Sequence, residues 1–199
     1  FDKVIAVEFD ERLARNLPGS FPGKNLEVIN EDILKYDFSV LPQPYMGVGN
    51  IPYYITSPII KRVLLTSNKP EKVVLLMQKE VAERIVSEKE TVLSLFVKNY
   101  AEVSTGLIVP AREFPPPPKV DSEVAIMKPF KKPKVDEKVF NLIEIGFRAP
   151  RKKLIHNLAG LKPKEELSGI LEEAKISLDA RPGDLKLDDW ANLYKKIYS

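Results

Sequence analysis

The chain has 199 residues, 44% hydrophobic and 30% charged, with a formal net charge of +3; this is ordinary globular composition, too weakly basic to establish nucleic-acid binding by itself. It contains no cysteine and a single histidine, His156, which excludes disulfides, thiolate metal sites and histidine metal clusters. It has no apolar run near the roughly 20 residues that span a bilayer and no secretion-signal pattern, so we expect a cytoplasmic chain without a membrane anchor.

The hydrophobic pattern predicts alternating strands and helices over the first two thirds of the chain. The predicted strands cover residues 3–8, 26–29, 45–49, 72–77, 101–109 and 123–128. The predicted helices between them cover residues 10–17, 57–65, 78–87 and 92–100, the first with Asp10 as its N-cap. Helices that connect strands cover both faces of a sheet, so this order is typical of an α/β domain with a mostly parallel sheet.

The character of the sequence changes at about residue 130. A basic, proline-broken stretch, KPFKKPKVDEK, is typical of a linker, and only helices are predicted after it, at 139–147, 152–158, 163–174 and 187–198. We therefore predict a boundary between an α/β domain, residues 1–132, and a small all-helical domain, residues 133–199.

A cluster of basic residues lies early in the predicted helical domain. Residues 145–164 include six basic side chains and no acidic one. Such a patch can contact nucleic-acid phosphates, although a solvated helix face explains it equally well on composition alone.

Three polar residues are predicted at the carboxyl ends of strands, where open α/β sheets bind their ligands. They are Glu8, Asp32 and Asn50. A carboxylate at this edge commonly accepts hydrogen bonds from ribose hydroxyls, and Asp32 is placed to accept one from an adenine amine. For each carboxylate alone, a surface position or a helix cap is the favoured alternative.

The segment Asn50-Ile51-Pro52-Tyr53 combines hydrogen-bond acceptors with an aromatic ring. The exocyclic amine of adenine is a poor nucleophile because its lone pair is delocalised into the ring, and it needs acceptors rather than a strong base. The Asn50 side-chain oxygen and a nearby backbone carbonyl can hold its two N–H groups, while Pro52 stiffens the loop. Tyr53 can stack on an extruded base through its ring face. A strand-ending turn with a buried tyrosine is the alternative.

Six segments follow one another along nearly the whole chain. They are VIAVEFD (4–10), NEDIL (30–34), GNIPYYITSP (49–58), QKEVAER (78–84), FPPPPKVDS (114–122) and FRAPRKKLIHNL (147–158). In this order they resemble the motifs of the ribosomal RNA adenine dimethyltransferases. One branch of that family dimethylates two adjacent adenosines near the 3′ end of small-subunit rRNA, and the other modifies a large-subunit adenosine and confers macrolide resistance. The basic last segment is similar to the first branch, which we favour.

The resemblance implies a fold, a cofactor and a substrate. It implies a Rossmann-like methyltransferase sheet over residues 1–132 and an RNA-binding helical domain over residues 133–199. The implied methyl donor is S-adenosylmethionine, with its ribose on Glu8 and its adenine on Asp32 and Ile33. No metal is implied, because the sulfonium is already an activated leaving group. The implied substrate is small-subunit rRNA in a pre-ribosomal particle, bound by a monomer.

The resemblance also implies the residues that handle the target adenosine. Asn50, which also borders the cofactor, and the Ile51 carbonyl would hold the target amine on a loop stiffened by Pro52. Tyr53 and Phe114 would sandwich the target base. The RNA contacts would come from Arg148, Arg151, Lys152 and Lys153. We expect Tyr54 and Trp190 to be packing residues.

One expected family feature is not found in the sequence. The glycine-rich loop that follows the first strand of the family's sheet is missing, and the sequence begins where the second strand is expected. Because the family's first strand lies between its second and fourth strands, we expect residues 3–8 and 26–29 to form a separate two-stranded piece. We also expect residues 1–199 to be an incomplete functional polypeptide with weak cofactor binding. A non-catalytic RNA-binding ribosome assembly factor is the rival function.

Overall fold

The computed structural model describes residues 3–199, so the first two residues of the predicted α/β domain lie outside the described residues. The strands are β1 (Val4–Glu8), β2 (Leu26–Asn30), β3 (Met46–Asn50), β4 (Lys72–Gln78), β5 (Ala101–Val109) and β6 (Ser122–Pro129). The α-helices are α1 (Glu11–Ser20), α2 (Thr56–Leu65), α3 (Lys79–Val86), α4 (Val92–Tyr100), α5 (Glu137–Gly146), α6 (Leu154–Leu158), α7 (Lys164–Glu173) and α8 (Leu187–Tyr198). Every predicted strand and helix is present, so the α/β fold class predicted from the sequence is confirmed.

The first helix begins as predicted but ends later. The Asp10 carboxylate caps it by accepting a hydrogen bond from the Leu13 N–H at 2.9 Å. The helix then continues through Pro18 to Ser20, whereas we predicted its end at residue 17. Proline has no backbone N–H, so one intrahelical hydrogen bond is missing. Here it is missing from the last turn of a largely exposed helix, where the loss disturbs the helix little.

The strands form two separate sheets in the part of the chain that the structure describes. β1 and β2 pair in parallel, and β3, β4, β6 and β5 form a four-stranded sheet in that order. This confirms the prediction that the first two strands form a separate piece. Val48 in β3, the edge strand of the larger sheet, is 73% exposed.

The larger sheet is mixed, which corrects the prediction of a mostly parallel sheet. β3 and β4 are parallel, but β6 is antiparallel to both β4 and β5. A parallel connection needs a crossover, usually a helix. The proline-rich loop between β5 and β6 contains only the short 3-10 helix Ala111–Glu113, so these two strands pair as antiparallel neighbours.

The first hydrophobic core lies between the larger sheet and helices α2 to α4. Its most buried members include Ile60, Leu64, Met77, Val97 and Met127. Side chains of the two-stranded sheet and of the turn after it pack against the same core, among them Val7, Ile29 and Ile33. The separate sheet is therefore held to the larger one by packing rather than by strand pairing.

A second hydrophobic core lies among the C-terminal helices and centres on Trp190, which is fully buried. This confirms Trp190 as a packing residue. Leu95 of α4 also belongs to this core, so one helix contributes to both cores. The division of the chain into domains at residue 132 stays a prediction.

Gly146, at the end of α5, lies against the Trp190 ring. A Cβ atom at this position would lie 2.3 Å from Trp190 Cη2 and 3.2 Å from Leu154 Cδ1. Only glycine therefore lets α5 approach α8 this closely.

We expect Gly146→Ala to destabilise the protein by about 1–3 kcal/mol, because the added methyl group overpacks the second core. Gly169→Ala is the matched control, since Gly169 also lies in a helix but a Cβ added there would have no atom within 4 Å. The control should be neutral or stabilising, by up to about 1 kcal/mol. Urea unfolding of both variants measures the difference, and equal free energies of unfolding would contradict the packing argument.

The junction between α3 and α4 joins the two parts of the chain through Glu90. The Glu90 side chain is 2% exposed and accepts hydrogen bonds from Lys98 Nζ at 2.8 Å and from the Ser94 hydroxyl at 2.7 Å. Lys186, just before α8, approaches the same carboxylate at 3.3 Å. The Glu90 backbone N–H donates to the Gly183 carbonyl at 2.8 Å. One buried carboxylate thus connects the α3–α4 junction to the C-terminal helices.

Candidate functional site

The predicted acceptor residue, Asn50, ends β3 at the carboxyl edge of the larger sheet. It pairs in register with Leu76 of β4. Its side chain is exposed and makes no hydrogen bond within residues 3–199. Both the amide oxygen and the amide nitrogen are therefore without a partner among the described residues, in a position to bind a polar ligand.

The residues after Asn50 fix the backbone of the loop. Ile51 is buried, and its Cγ2 would lie 3.1 Å from a Cβ placed on Gly49, so this turn is tightly packed. The Ile55 N–H donates to the Pro52 carbonyl at 3.1 Å and closes a short 3-10 helix, Tyr53–Ile55. The Ile51 carbonyl accepts no hydrogen bond from the described residues, so it is free for a donor on a ligand.

Tyr53 is half-buried and is anchored through its hydroxyl. The hydroxyl lies 2.8 Å from Ser122 Oγ, at the start of β6. The sequence predicted a function for the ring face only, so this contact was missed. The neighbouring Tyr54 is 84% exposed, and its expected role in packing is wrong: the 3-10 helix turns its side chain into solvent.

Phe114 follows the 3-10 helix of the proline-rich loop. Its N–H donates to the Ala111 carbonyl at 3.2 Å, and the Ala111 N–H donates to Asp121 Oδ1 at 2.9 Å. The loop is thereby tied to the residue that precedes Ser122. The structure thus brings Tyr53 and the loop of Phe114 to the same end of β6, although the two rings make no ring contact with each other in the described part of the chain.

Glu8 and Asp32 lie at the carboxyl ends of the two-stranded sheet. The Glu8 carboxylate accepts a hydrogen bond from the Asp10 N–H at 2.8 Å, and the Asp32 carboxylate accepts one from the Leu34 N–H at 2.9 Å. The Asn30 amide donates to the Glu8 and Phe9 carbonyls and joins the two strand ends. Each carboxylate uses Oε1 or Oδ1 locally and keeps its second oxygen for another donor. Within residues 3–199, no hydrogen bond joins Glu8 or Asp32 to Asn50.

Two side chains that the sequence did not single out hold the segment after Asp32 in place. Arg62 of α2 donates to the Lys35 and Tyr36 carbonyls at 3.1 and 2.8 Å. Asn68 donates to the Phe38 and Leu41 carbonyls at 2.8 and 2.9 Å. These contacts span 26 to 30 residues, so no local sequence pattern signals them.

Asp37 lies within the segment that Arg62 and Asn68 hold. The Ser39 N–H, and next the Ser39 hydroxyl, keep the pKa of the Asp37 carboxyl below its ordinary value. Both donors belong to the turn itself, so the ionised Asp37 stabilises the local backbone conformation.

The basic residues Arg148, Arg151, Lys152 and Lys153 lie in the connection between α5 and α6, not on a helix face as the alternative explanation of the patch required. All four are exposed. Lys153 is paired with Asp179, and this hydrogen bond lowers the pKa of the Asp179 carboxyl. The other three form no ion pair in the part of the chain that the structure describes, so their charges remain available to a polyanion.

Acidic and histidine side chains do not gather into a metal site in the described chain. In residues 3–199 there is no group of three or more of them that could hold a metal ion. None of the described helices combines the length and the apolar character that a membrane span requires.

Comparison with known proteins adds to this geometry. The family model described as "Ribosomal RNA adenine dimethylase" matches residues 1–199. The ribosomal RNA small subunit methyltransferase A of Synechocystis sp. is 36% identical over 96% of this chain and 74% of its own length. The protein of the same name from Mycoplasma mycoides subsp. mycoides is 33% identical over 100% of this chain and 80% of its own length.

Two solved structures have the same fold. A dimethyladenosine transferase from Plasmodium falciparum superposes with a TM-score of 0.79 at 27% identity, covering 98% of this chain and 82% of that one. The 23S rRNA methyltransferase ErmE superposes with a TM-score of 0.76 at 25% identity, covering 99% of this chain and 82% of that one. The two small subunit methyltransferases compared above are thus 33% and 36% identical to this chain, while both solved structures share its fold.

Proposed function

The chain belongs to the ribosomal RNA adenine dimethylase family, and we propose that it transfers methyl groups to the exocyclic amines of two adjacent adenosines near the 3′ end of small-subunit rRNA. The supporting observation is the exposed end of β3, where the Asn50 amide and the Ile51 carbonyl are both free of partners among the described residues. The 36% identity to small-subunit enzymes, against 25% to a large-subunit enzyme, favours the small-subunit substrate.

The proposed chemistry uses two acceptors on a rigid loop. The Asn50 side-chain oxygen and the Ile51 carbonyl accept the two N–H groups of the target amine and favour the pyramidal form, in which the lone pair leaves the ring and becomes nucleophilic. Because Ile51 is buried and Pro52 is part of a closed turn, the carbonyl direction is set before the substrate binds. Such preorganised acceptors stabilise charge that develops during the reaction without reorganising.

We propose S-adenosylmethionine as the methyl donor, held by Glu8 through its ribose and by Asp32 and Ile33 at its adenine. The residues fit such a group: each carboxylate keeps one oxygen free after its local hydrogen bond, and half-buried Ile33 offers an apolar surface. When bound, the donor supplies an activated methyl group on a sulfonium. The two carboxylates bind and orient it, and Arg62 and Asn68 fix the segment beyond Asp32.

We propose that Arg148, Arg151 and Lys152 bind rRNA phosphates in a pre-ribosomal particle, with Lys153 contributing less because it is paired with Asp179. Residues 133–199 would then form the RNA-binding domain. A monomeric protein in the cytoplasm suits this substrate, and the described part of the chain contains no membrane-spanning helix.

The proposed function is tested by incubating the purified full-length protein with S-adenosylmethionine and unmethylated small or large ribosomal subunits. Mass spectrometry of nuclease fragments then locates any N6,N6-dimethyladenosine. We expect two adjacent modified adenosines near the 3′ end of small-subunit rRNA. Methylation of large-subunit rRNA would support the other branch, and tight binding of small subunits without methylation would support an assembly factor.

We expect the double variant Arg151→Glu/Lys152→Glu to bind small subunits more weakly and with a shallower salt dependence than the wild type. Fewer phosphates are neutralised, so fewer counterions are released on binding. The matched control is Lys131→Glu/Lys132→Glu, which makes the same change of charge at two exposed residues outside the patch. Binding measured between about 50 and 200 mM salt gives the slopes. A slope equal to that of the control would show that the patch is only a solvated surface.

A further inference from the structure

The start of β6 has contacts that neither the fold nor the proposed chemistry accounts for. Ser122, its first residue, is 1% exposed, so water has little access to its hydroxyl. That hydroxyl lies 2.8 Å from the hydroxyl of Tyr53, a residue 69 positions earlier in the chain. A buried hydroxyl needs a partner, and here the partner is the residue proposed to stack on the target base.

Asp121, the residue before Ser122, makes a second pair of long-range contacts. Its carboxylate accepts a hydrogen bond from the Ala111 N–H at 2.9 Å, and the Ala111 carbonyl in turn accepts one from the Phe114 N–H. The Asp121 backbone carbonyl accepts a hydrogen bond at 3.0 Å from the N–H of Lys79, the first residue of α3, directly after β4. Asp121 therefore ties the loop that carries Phe114 to the rigid edge of the sheet.

From these contacts we infer that Asp121 and Ser122 form a positioning pair that sets the separation and orientation of Tyr53 and Phe114 for the capture of an extruded adenine. The inference rests on the proposed function. The two aromatic residues come from distant parts of the chain and have no ring contact with each other within residues 3–199, whereas contacts with the adjacent residues Asp121 and Ser122 reach both of their segments. Asp121 and Ser122 are adjacent where a paired strand begins, so they provide a fixed spacing before the base arrives.

The contrast between the two neighbouring tyrosines supports this inference. Tyr54 is 84% exposed and its hydroxyl has no hydrogen-bond partner among the described residues, whereas Tyr53 is held by a buried serine. Stacking uses the ring face and needs no hydroxyl. The Tyr53 hydroxyl therefore serves to bind Ser122. This hydrogen bond limits rotation of the ring and lowers the conformational entropy that is lost when the base binds.

The first experiment combines Ser122→Ala and Tyr53→Phe and uses two RNAs. One carries 2-aminopurine at the target position, and its fluorescence reports extrusion of the base from the helix; the other carries adenosine there and is used for the kinetics, because 2-aminopurine has no 6-amino group to methylate. Each single variant should lower kcat/KM for RNA roughly 3- to 10-fold, the effect of one neutral hydrogen bond, and should weaken the 2-aminopurine signal. The double variant should be no worse than either single one, because both remove the same contact. Ser122→Thr keeps the hydroxyl and should give the wild-type 2-aminopurine signal. The KM for S-adenosylmethionine should not change in any of these variants. Tyr54→Phe is the control and should have no effect.

The second experiment tests the other half of the pair. Asp121→Ala should reduce base capture and should add nothing to Phe114→Ala, whereas Asp121→Asn keeps the acceptor oxygen and should retain base capture. Thermal unfolding of each variant shows whether activity falls only because less protein is folded. A loss of activity that follows the folded fraction, with an unchanged 2-aminopurine signal in the folded protein, would overturn the positioning role.

Asn50→Ala separates this inference from the proposed function. If the wild type methylates rRNA and Asn50→Ala does not, while Ser122→Ala and Tyr53→Phe remain fully active, the positioning role is wrong and the proposed function stands. If the wild type and Asn50→Ala are equally inactive on rRNA, the proposed function itself has failed and the inference fails with it.

Discussion

Replacing Asn50 with alanine is expected to raise the barrier for rRNA methylation by about 2–4 kcal/mol, which lowers kcat by roughly 30- to 1,000-fold. The variant keeps the Ile51 carbonyl but loses the side-chain oxygen that would accept the second N–H group of the target amine. Since the Asn50 side chain is exposed and has no protein partner among the described residues, its removal should hardly change the free energy of unfolding.

The measurement is single-turnover methylation of small ribosomal subunits at saturating S-adenosylmethionine. Asn141→Ala, at an exposed asparagine of α5 remote in sequence from the site, is the matched control and should react at the wild-type rate. S-adenosylmethionine affinity, measured by calorimetry, should fall much less than the rate in Asn50→Ala. A variant that methylates at the parental rate would exclude Asn50 from the reaction, and an equal loss of cofactor affinity would assign it to cofactor binding instead.

The strands and helices followed from local patterns, whereas the separation of the two sheets followed from the strand order of the resembled family. Apolar runs such as residues 72–77 and the cap at Asp10 depend on neighbouring residues, so the sequence was sufficient to locate β4 and the start of α1. The orientation of β6 was not local. It depends on the connection between β5 and β6, which has no crossover helix. No helix was predicted there, but the antiparallel pairing that follows from this was not inferred.

The candidate site residues were predicted from motif order, but the contacts that hold them were not. Tyr53 and Ser122 are 69 residues apart, and Arg62 is 26 residues from the carbonyl of Tyr36 that it binds. A hydrogen bond over such a separation leaves no periodic signal, because it depends on how the elements pack. The ion pair of Lys153 with Asp179 was missed for the same reason, although it changes which basic residues are free for RNA.

The contacts of Glu90 are a further example of long-range contacts that the sequence did not predict. The sequence offered no function for the short junction between α3 and α4. In the structure this junction carries a buried carboxylate that receives hydrogen bonds from Ser94 and Lys98 and lies 3.3 Å from Lys186, 96 residues away. A Cβ on Gly183 would lie 2.9 Å from the Glu90 carbonyl, so the two segments are also in close backbone contact.

Glu90→Ala is expected to destabilise the protein by about 3–5 kcal/mol, because it leaves the partly buried Lys98 ammonium without its carboxylate. The Lys98 amine would keep one acceptor, the Ser87 carbonyl at 2.8 Å, and Lys186 would keep the Glu88 carbonyl, so both cations lose their charge partner but not every hydrogen bond. Glu90→Gln keeps the size and one acceptor oxygen and should cost less than alanine. The free energies of unfolding come from urea titration.

The matched control for Glu90 is Glu88→Ala, two residues earlier, where the side chain is exposed and forms no ion pair within residues 3–199. It should change the free energy of unfolding by less than about 0.5 kcal/mol. Hydrogen exchange shows where the variant opens. In Glu90→Ala, the backbone amides of residue 90 and of the first turn of α8 should lose protection before those of β4, because the contact between the junction and the C-terminal helices opens first. If Glu90→Ala and Glu88→Ala unfold at the same urea concentration, the buried carboxylate does not hold the two parts together, and other contacts, such as the packing of Leu95 and the hydrogen bond to the Gly183 carbonyl, do so instead.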